Sequence, residues 1–175
     1  MGKYITYATR YGTCEKYAAR IAKEKNYPIY PINEIANHIA DHDEIIFVTP
    51  IYTGKIFSFD KLIKELHQKN SVKLIMIIVG MYNPNRESNN TKIENIANEM
   101  LEKSTLQLQS IYHLFGELNS EKLSIIHRTL IKMLYNKAKK QAEINLSENE
   151  KDIINAYENN NQMDNNEFIE MMRSL

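Results

Sequence analysis

Residues 44–56 read EIIFVTPIYTGKI, a near-continuous apolar run that breaks at Pro50 into a segment rich in turn formers. A strand with one wet face alternates, whereas a strand covered on both faces stays apolar throughout. A second such run, Val72–Val79 (VKLIMIIV), follows downstream. Two runs of this kind predict parallel strands buried between helices. Outward from them, Lys3–Ala8 alternates and then turns, Tyr27–Pro31 is a short strand whose two prolines suit an edge, and Leu106–Phe115 is the last strand. Thr13–Lys25 sets Tyr17, Ala18, Ile21 and Ala22 on one helical face. Further helices are expected over Ser58–Lys69, capped by Ser58, over Thr91–Lys103, opened by a Thr91/Glu94 capping box, and from about Ser120 to Lys140. Strands alternating with helices, joined by right-handed crossovers, give an α/β doubly wound parallel sheet with helices on both faces.

With 175 residues, 43% apolar and 25% charged, the chain is long enough for one globular domain with a sizeable core. No apolar run approaches the ~20 residues of a membrane span. The opening MGKYITYA enters a strand pattern at once and does not read as a signal peptide. One cysteine excludes an intrachain disulfide and fits a reducing compartment, so a cytoplasmic location is expected. The zero net charge hides an asymmetry: residues 143–175 carry eight acidic and two basic side chains, and residues 1–142 the complementary excess of six positive charges. Nucleic acid is not an expected partner. The acidic segment holds two further capping-box patterns, Ser147/Glu150 and Asp164/Glu167, around the polar joint ENNNQMDNN. It reads as two short helices, a C-terminal extension over 143–175 appended to a domain spanning 1–142.

In an open parallel sheet, ligands bind beyond the carboxyl ends of the strands, where strand order reverses. Three loops answer that description: Thr9–Cys14 (TRYGTC), Pro50–Ile56 (PIYTGKI) and Gly80–Pro84 (GMYNP). The first opens a helix, whose unpaired N–H groups and partial positive charge favour a phosphate. Thr9 and Thr13 add hydroxyls, and Gly12 lets the backbone come close. An ordinary well-capped turn accounts for that loop equally well. The Walker pattern lacks its Gly-Lys-Ser/Thr end, and the dinucleotide fingerprint lacks two of its glycines. Cys14 and Arg20 have the Cys-x5-Arg spacing of phosphatases, but along a helix that spacing is ~9 Å of rise, too far to grip one phosphate. His38 and His42 have no third partner for a metal, and His67, His113 and His127 read as structural.

In this order and spacing the three loops resemble those of the flavodoxins. Thr9-Arg10-Tyr11-Gly12-Thr13-Cys14 looks like the FMN-phosphate loop, TPIYTGKI like the second flavin-contacting loop, and VGMY like the third. The branch containing the menaquinone-dependent protoporphyrinogen dehydrogenases is the most similar, and HLFGELNSEKLSIIHRTLIKML resembles its last strand and following segment. The resemblance covers residues 3–140. It implies a five-stranded sheet in order 2-1-3-4-5, non-covalent FMN, and electron transfer to redox partner proteins or a quinone. It also implies a phosphate held by Thr9, Arg10, Tyr11, Gly12, Thr13 and Cys14. Pro50, Ile51, Tyr52, Thr53, Gly54 and Lys55 would meet the ring from the second loop, and Gly80, Met81 and Tyr82 from the third. Tyr52 and Tyr82 are the candidates to flank the ring, Gly54 lets the backbone move near it, and Lys55 offsets charge on the reduced form. Flavodoxin carriers are strongly acidic, whereas this core is net positive. Cys14, at a helix N-terminus, stands where thiol pKa values fall, although a small residue fitting a tight turn is the favoured reading. A flavodoxin-shaped interaction module without cofactor is the alternative from another class.

The last long helix carries Leu123, Ile126, Leu130, Ile131, Leu134 and Ala138 as one stripe, with Arg128, Lys132, Lys137, Lys139 and Lys140 beside it. The plain expectation is that the stripe packs on the sheet. The sharper one is peripheral contact with anionic lipid, screened by the acidic segment and unmasked by shortening the chain to about Ala142.

Overall fold

The computed structural model describes residues 1–118, 123–159 and 165–175. In chain order the elements are β1 Lys3–Tyr7, α1 Thr13–Lys25, β2 Ile29–Pro31, β3 Glu44–Tyr52, β4 Lys55–Ile56, α2 Phe59–Glu65, β5 Lys73–Gly80, α3 Glu87–Leu101, β6 Gln107–Phe115, α4 Ile125–Lys139, α5 Glu148–Glu158 and α6 Asn166–Ser174. The five parallel strands run β2-β1-β3-β5-β6, so the expected flavodoxin-like order is observed. One strand is extra. β3 continues through Pro50 to Tyr52 and folds back antiparallel as β4, with Tyr52 opposite Lys55. Thr53 and Gly54 form the two-residue turn, both at positive φ (47° and 76°). The second loop is therefore the tip of a hairpin.

Alternate residues of β3 and β5 feed two cores. Ile45, Phe47, Leu74, Met76 and Ile78 pack against Phe59 and Leu62 of α2 and Ile93 and Ala97 of α3. On the opposite face Ile46, Val48, Ile75, Ile77 and Val79 pack against Tyr17, Ala18 and Ile21 of α1 and Phe168 and Met171 of α6. Every residue of Glu44–Thr49 is buried, as its apolar run requires.

Three local expectations are corrected. Ser58 precedes α2 in a left-handed conformation (φ 57°) and its side chain caps nothing. The capping box at Thr91/Glu94 lies inside α3, which starts four residues earlier. There Pro84 and a turn closed by Arg86 N–H to Asn83 O (3.0 Å) initiate the helix. The box at Ser147/Glu150 is present with both reciprocal bonds, while Asp164 of the last box lies outside the described residues and Asn165 caps α6 instead.

The fourth correction is tertiary. The α4 stripe does not pack on the sheet: Ile126 is 77% exposed, Leu130 45%, and Ala138 alone of the helix is buried. The place beside α1 is taken by α6. Phe168 packs on Tyr17 in a tilted pair with ring centroids 5.4 Å apart, and the Arg20 guanidinium lies over its ring at 4.3 Å. Shortening the chain at Ala142 would remove this core helix, so it cannot serve to unmask α4. α4 leans on α5, through a stacked Tyr135–Tyr157 pair (4.1 Å) and a Lys139–Glu158 ion pair (2.8 Å).

Candidate functional site

The carboxyl ends of β1, β3 and β5 bring the three loops to one edge, where they border a single cavity of about 690 Å³. Thr9, Arg10, Tyr11, Thr13 and Cys14 line it from the first loop, Pro50, Ile51, Tyr52, Thr53 and Gly54 from the hairpin, and Gly80, Met81 and Tyr82 from the third. Gly12 and Lys55 do not line it. Gly12 acts through its backbone, at φ 91°, with its N–H donating to Thr9 Oγ1 at 2.9 Å. Lys55 points to solvent from β4.

The first loop is built to receive an anion. Among the described residues, the main-chain N–H groups of Arg10, Tyr11, Thr13 and Cys14 donate to no protein acceptor. They stand where α1 begins, at the positive end of its dipole. Arg10 adds a fixed cation above the Tyr52 ring (4.9 Å). The nearby Glu117 carboxylate is engaged by Lys16 at 2.5 Å, which offsets its repulsion of an incoming anion. Cys14 offers only its N–H: the thiol is buried, and desolvation pushes its pKa up, against the lowering its helix position suggested.

The tyrosines differ. Tyr82 folds inward, with its ring across Gly80, where any Cβ would collide with it, and its hydroxyl on His113 Nδ1 at 2.8 Å. Burial pushes His113 down to about 4 and Tyr82 up, so the imidazole is neutral and its Nδ1 accepts a hydrogen bond from the phenol. Tyr52 leans across the cavity mouth. Its hydroxyl donates to Tyr11 (3.3 Å) and lies 3.2 Å from His127 Nδ1, while Tyr11 bonds the same nitrogen at 2.5 Å. Burial and the Tyr11 hydroxyl push Tyr52 up to about 12. At the hairpin tip Thr53 holds a left-handed backbone that β-branched residues rarely adopt, a local strain placed at the cavity rim.

Sequence reasoning missed the roof. α4 crosses the cavity and presents His127, Leu130, Ile131 and Leu134 to it, with Leu123 just ahead of the helix and Ile93 and Ile96 of α3 also lining the cavity. His127 was read as structural, yet it clasps two site loops. Its position gave the signal: it stands four residues from both Leu123 and Ile131, on the stripe already recognised. Among the described residues no cluster of three metal-ligating side chains exists, and no helix is long and apolar enough to cross a membrane.

A flavodoxin-domain family model matches residues 4–145. The chain belongs to the flavodoxin-domain family. No curated protein sequence matches it. Among solved structures, a flavoprotein in complex with FMN from Lactobacillus acidophilus is 13% identical, with a TM-score of 0.49 over 64% of this chain and 92% of that one. A Trp repressor binding protein from Bacillus subtilis is 15% identical (TM-score 0.45, 67% and 85% covered). A flavo di-iron protein variant from Thermotoga maritima is 20% identical (TM-score 0.46), with 78% of this chain covered and 35% of that one. Flavodoxin domains bind FMN, and the donor set of this one fits that cofactor: unclaimed N–H groups and Arg10 for a phosphate, and a cavity with a largely apolar roof for a ring system.

Proposed function

We propose that this flavodoxin domain holds FMN non-covalently and passes electrons between redox partners in the cytoplasm. The observation that carries the reading is the convergence of all three loops on one cavity whose closed end is the open N-terminus of α1. The phosphate would be held by the N–H groups of Arg10, Tyr11, Thr13 and Cys14 and by the hydroxyls of Thr9 and Thr13, with Gly12 shaping the loop. The ring would lie between the hairpin and the Gly80–Tyr82 loop. Tyr52, held at its hydroxyl by Tyr11 and His127, would cover a face with its ring, while Tyr82, tied to His113, bounds the cavity edge. When bound, FMN supplies the redox chemistry; the chain binds it, orients it and excludes water.

Charge-assisted bonds to a phosphate are worth about 1.5–3 kcal/mol each. The domain should therefore bind FMN far more tightly than riboflavin, which lacks the phosphate, and Thr13→Ala should narrow the gap. Titration by flavin fluorescence measures it. Equal affinity for the two flavins would sink the phosphate-loop assignment, and a protein that takes up neither would be a cofactor-free module.

The apolar roof favours a second reading, an oxidoreductase of the quinone-linked protoporphyrinogen dehydrogenase type. Leu130, Ile131 and Leu134 face Ile93 and Ile96 across the cavity and make a compartment suited to a small apolar reactant. Reoxidation of the reduced protein by a soluble menaquinone analogue, saturating with concentration, distinguishes this enzyme from a carrier that reacts only with protein partners.

A further inference from the structure

The faces of α4 are used unequally. At about 100° per residue, three arcs separate. Tyr135 and Lys139 turn to α5, where Glu158 takes both the Tyr135 hydroxyl and the Lys139 ammonium. His127, Leu130, Ile131 and Leu134 turn to the cavity. The remaining arc, roughly 120° wide, holds Ile125, Ile126, Thr129, Met133, Asn136, Lys137 and Lys140, and all of these are exposed. Ile125 and Ile126 are 80% and 77% exposed and Met133 60%, the largest apolar exposures along the helix. No acidic residue occurs from Ile125 to Lys140, and Lys132 flanks the arc on its other side.

We infer that this outer arc of α4 docks the protein on an anionic phospholipid bilayer, with Ile125, Ile126 and Met133 entering the interface and Lys132, Lys137 and Lys140 meeting the headgroups. The inference does not rest on the cofactor. Charge complementarity selects the occupant: an apolar strip flanked by lysines, on a helix without an acidic residue, matches a lipid surface of negative charge. Protein interfaces are depleted in lysine and anchored by aromatic residues, and this arc has no aromatic side chain. Glu158 is spent on the α5 side, and Glu150, which also neighbours Lys137, is engaged by Ser147 and Gln141, so the charge carried by the arc itself is positive.

The test is co-sedimentation of the full chain with vesicles of phosphatidylcholine alone and of phosphatidylcholine mixed with phosphatidylglycerol, at low and high salt. Binding to the mixed vesicles only, weakened by salt, is expected. The double variant Ile126→Asp/Met133→Asp should lose it, and Lys137→Gln/Lys140→Gln should weaken it roughly tenfold or more. Because these side chains make no core contact, both variants should keep the parent's circular dichroism and melting temperature. Failure to bind the mixed vesicles would overturn the proposal, as would undiminished binding by the variants. A stable dimer in solution that Ile126→Asp/Met133→Asp converts to monomer would overturn it too, by assigning the arc to a second copy of the chain.

Discussion

α1 and α4 are amphipathic helices of similar length, each following a parallel strand and each bordering the same cavity, yet their apolar faces meet opposite fates. Tyr17, Ala18 and Ile21 of α1 are fully buried, and Tyr17 also donates to the Phe115 carbonyl at 3.0 Å. The α4 stripe remains half open, because α6 already fills the sheet face on which it would lie. Helical periodicity announces that a face exists, but not what covers it. Here one helix builds the site from below and the other roofs it.

The largest test of that contrast is Phe168→Ala. Emptying a buried aromatic against Tyr17 should cost about 3–5 kcal/mol in urea unfolding, while Ile126→Ala on α4 should stay within about 0.5 kcal/mol. The reverse ranking would mean that α4, not α6, closes the sheet. Next in size is Gly12→Ala at the floor of the site. An L-residue at its left-handed φ is strained by about 1–2 kcal/mol, so FMN affinity should fall roughly tenfold, with weak riboflavin binding unchanged. On the roof, His127→Ala removes two hydroxyl partners worth about 0.5–1.5 kcal/mol each. FMN release in stopped flow should speed up several-fold, with a loss of stability of no more than about 1–3 kcal/mol. If release is unchanged, α4 is a passive wall.

The last test concerns pH. His113 titrates about 6.5 when unfolded and about 4 in the fold, because burial disfavours its charged form. Its contribution is therefore intact above pH about 6.5 and lost as pH falls toward about 4, where the unfolded chain binds the extra proton. His113→Asn should flatten that part of the stability profile. Equal slopes in the two proteins would remove His113 as the source.

Much of the fold was legible because β3 and β5 announce double burial in their composition and α1 shows its face in its spacing. β4 escaped: two residues after a Thr-Gly turn carry almost no strand signal, and Thr53 is an unfavourable residue for that turn. The start of α3 was misplaced because the Thr91/Glu94 pattern competes with Pro84 and Arg86. Arg86 is held at the helix start by Asp152 of α5 (2.7 Å), a contact no local window contains. The same division holds at the site. The loops could be ordered from local residues, whereas the role of His127 depends on α4 having been displaced by a helix some forty residues further along.

That displacement sets a timetable. Tyr17 and Phe168 meet across 151 positions of chain (168 − 17), so α1 is synthesised long before the partner that finishes its shelter. Until α6 emerges, Tyr17, Ile46 and Ile77 stand beside an open lane on the nascent sheet. Contacts of such long range are slow to form and leave apolar surface available to wrong partners in the interval. A chain stopped within the asparagine-rich joint would carry every residue of the three loops but lack Phe168 and Met171, which complete the core around Tyr17.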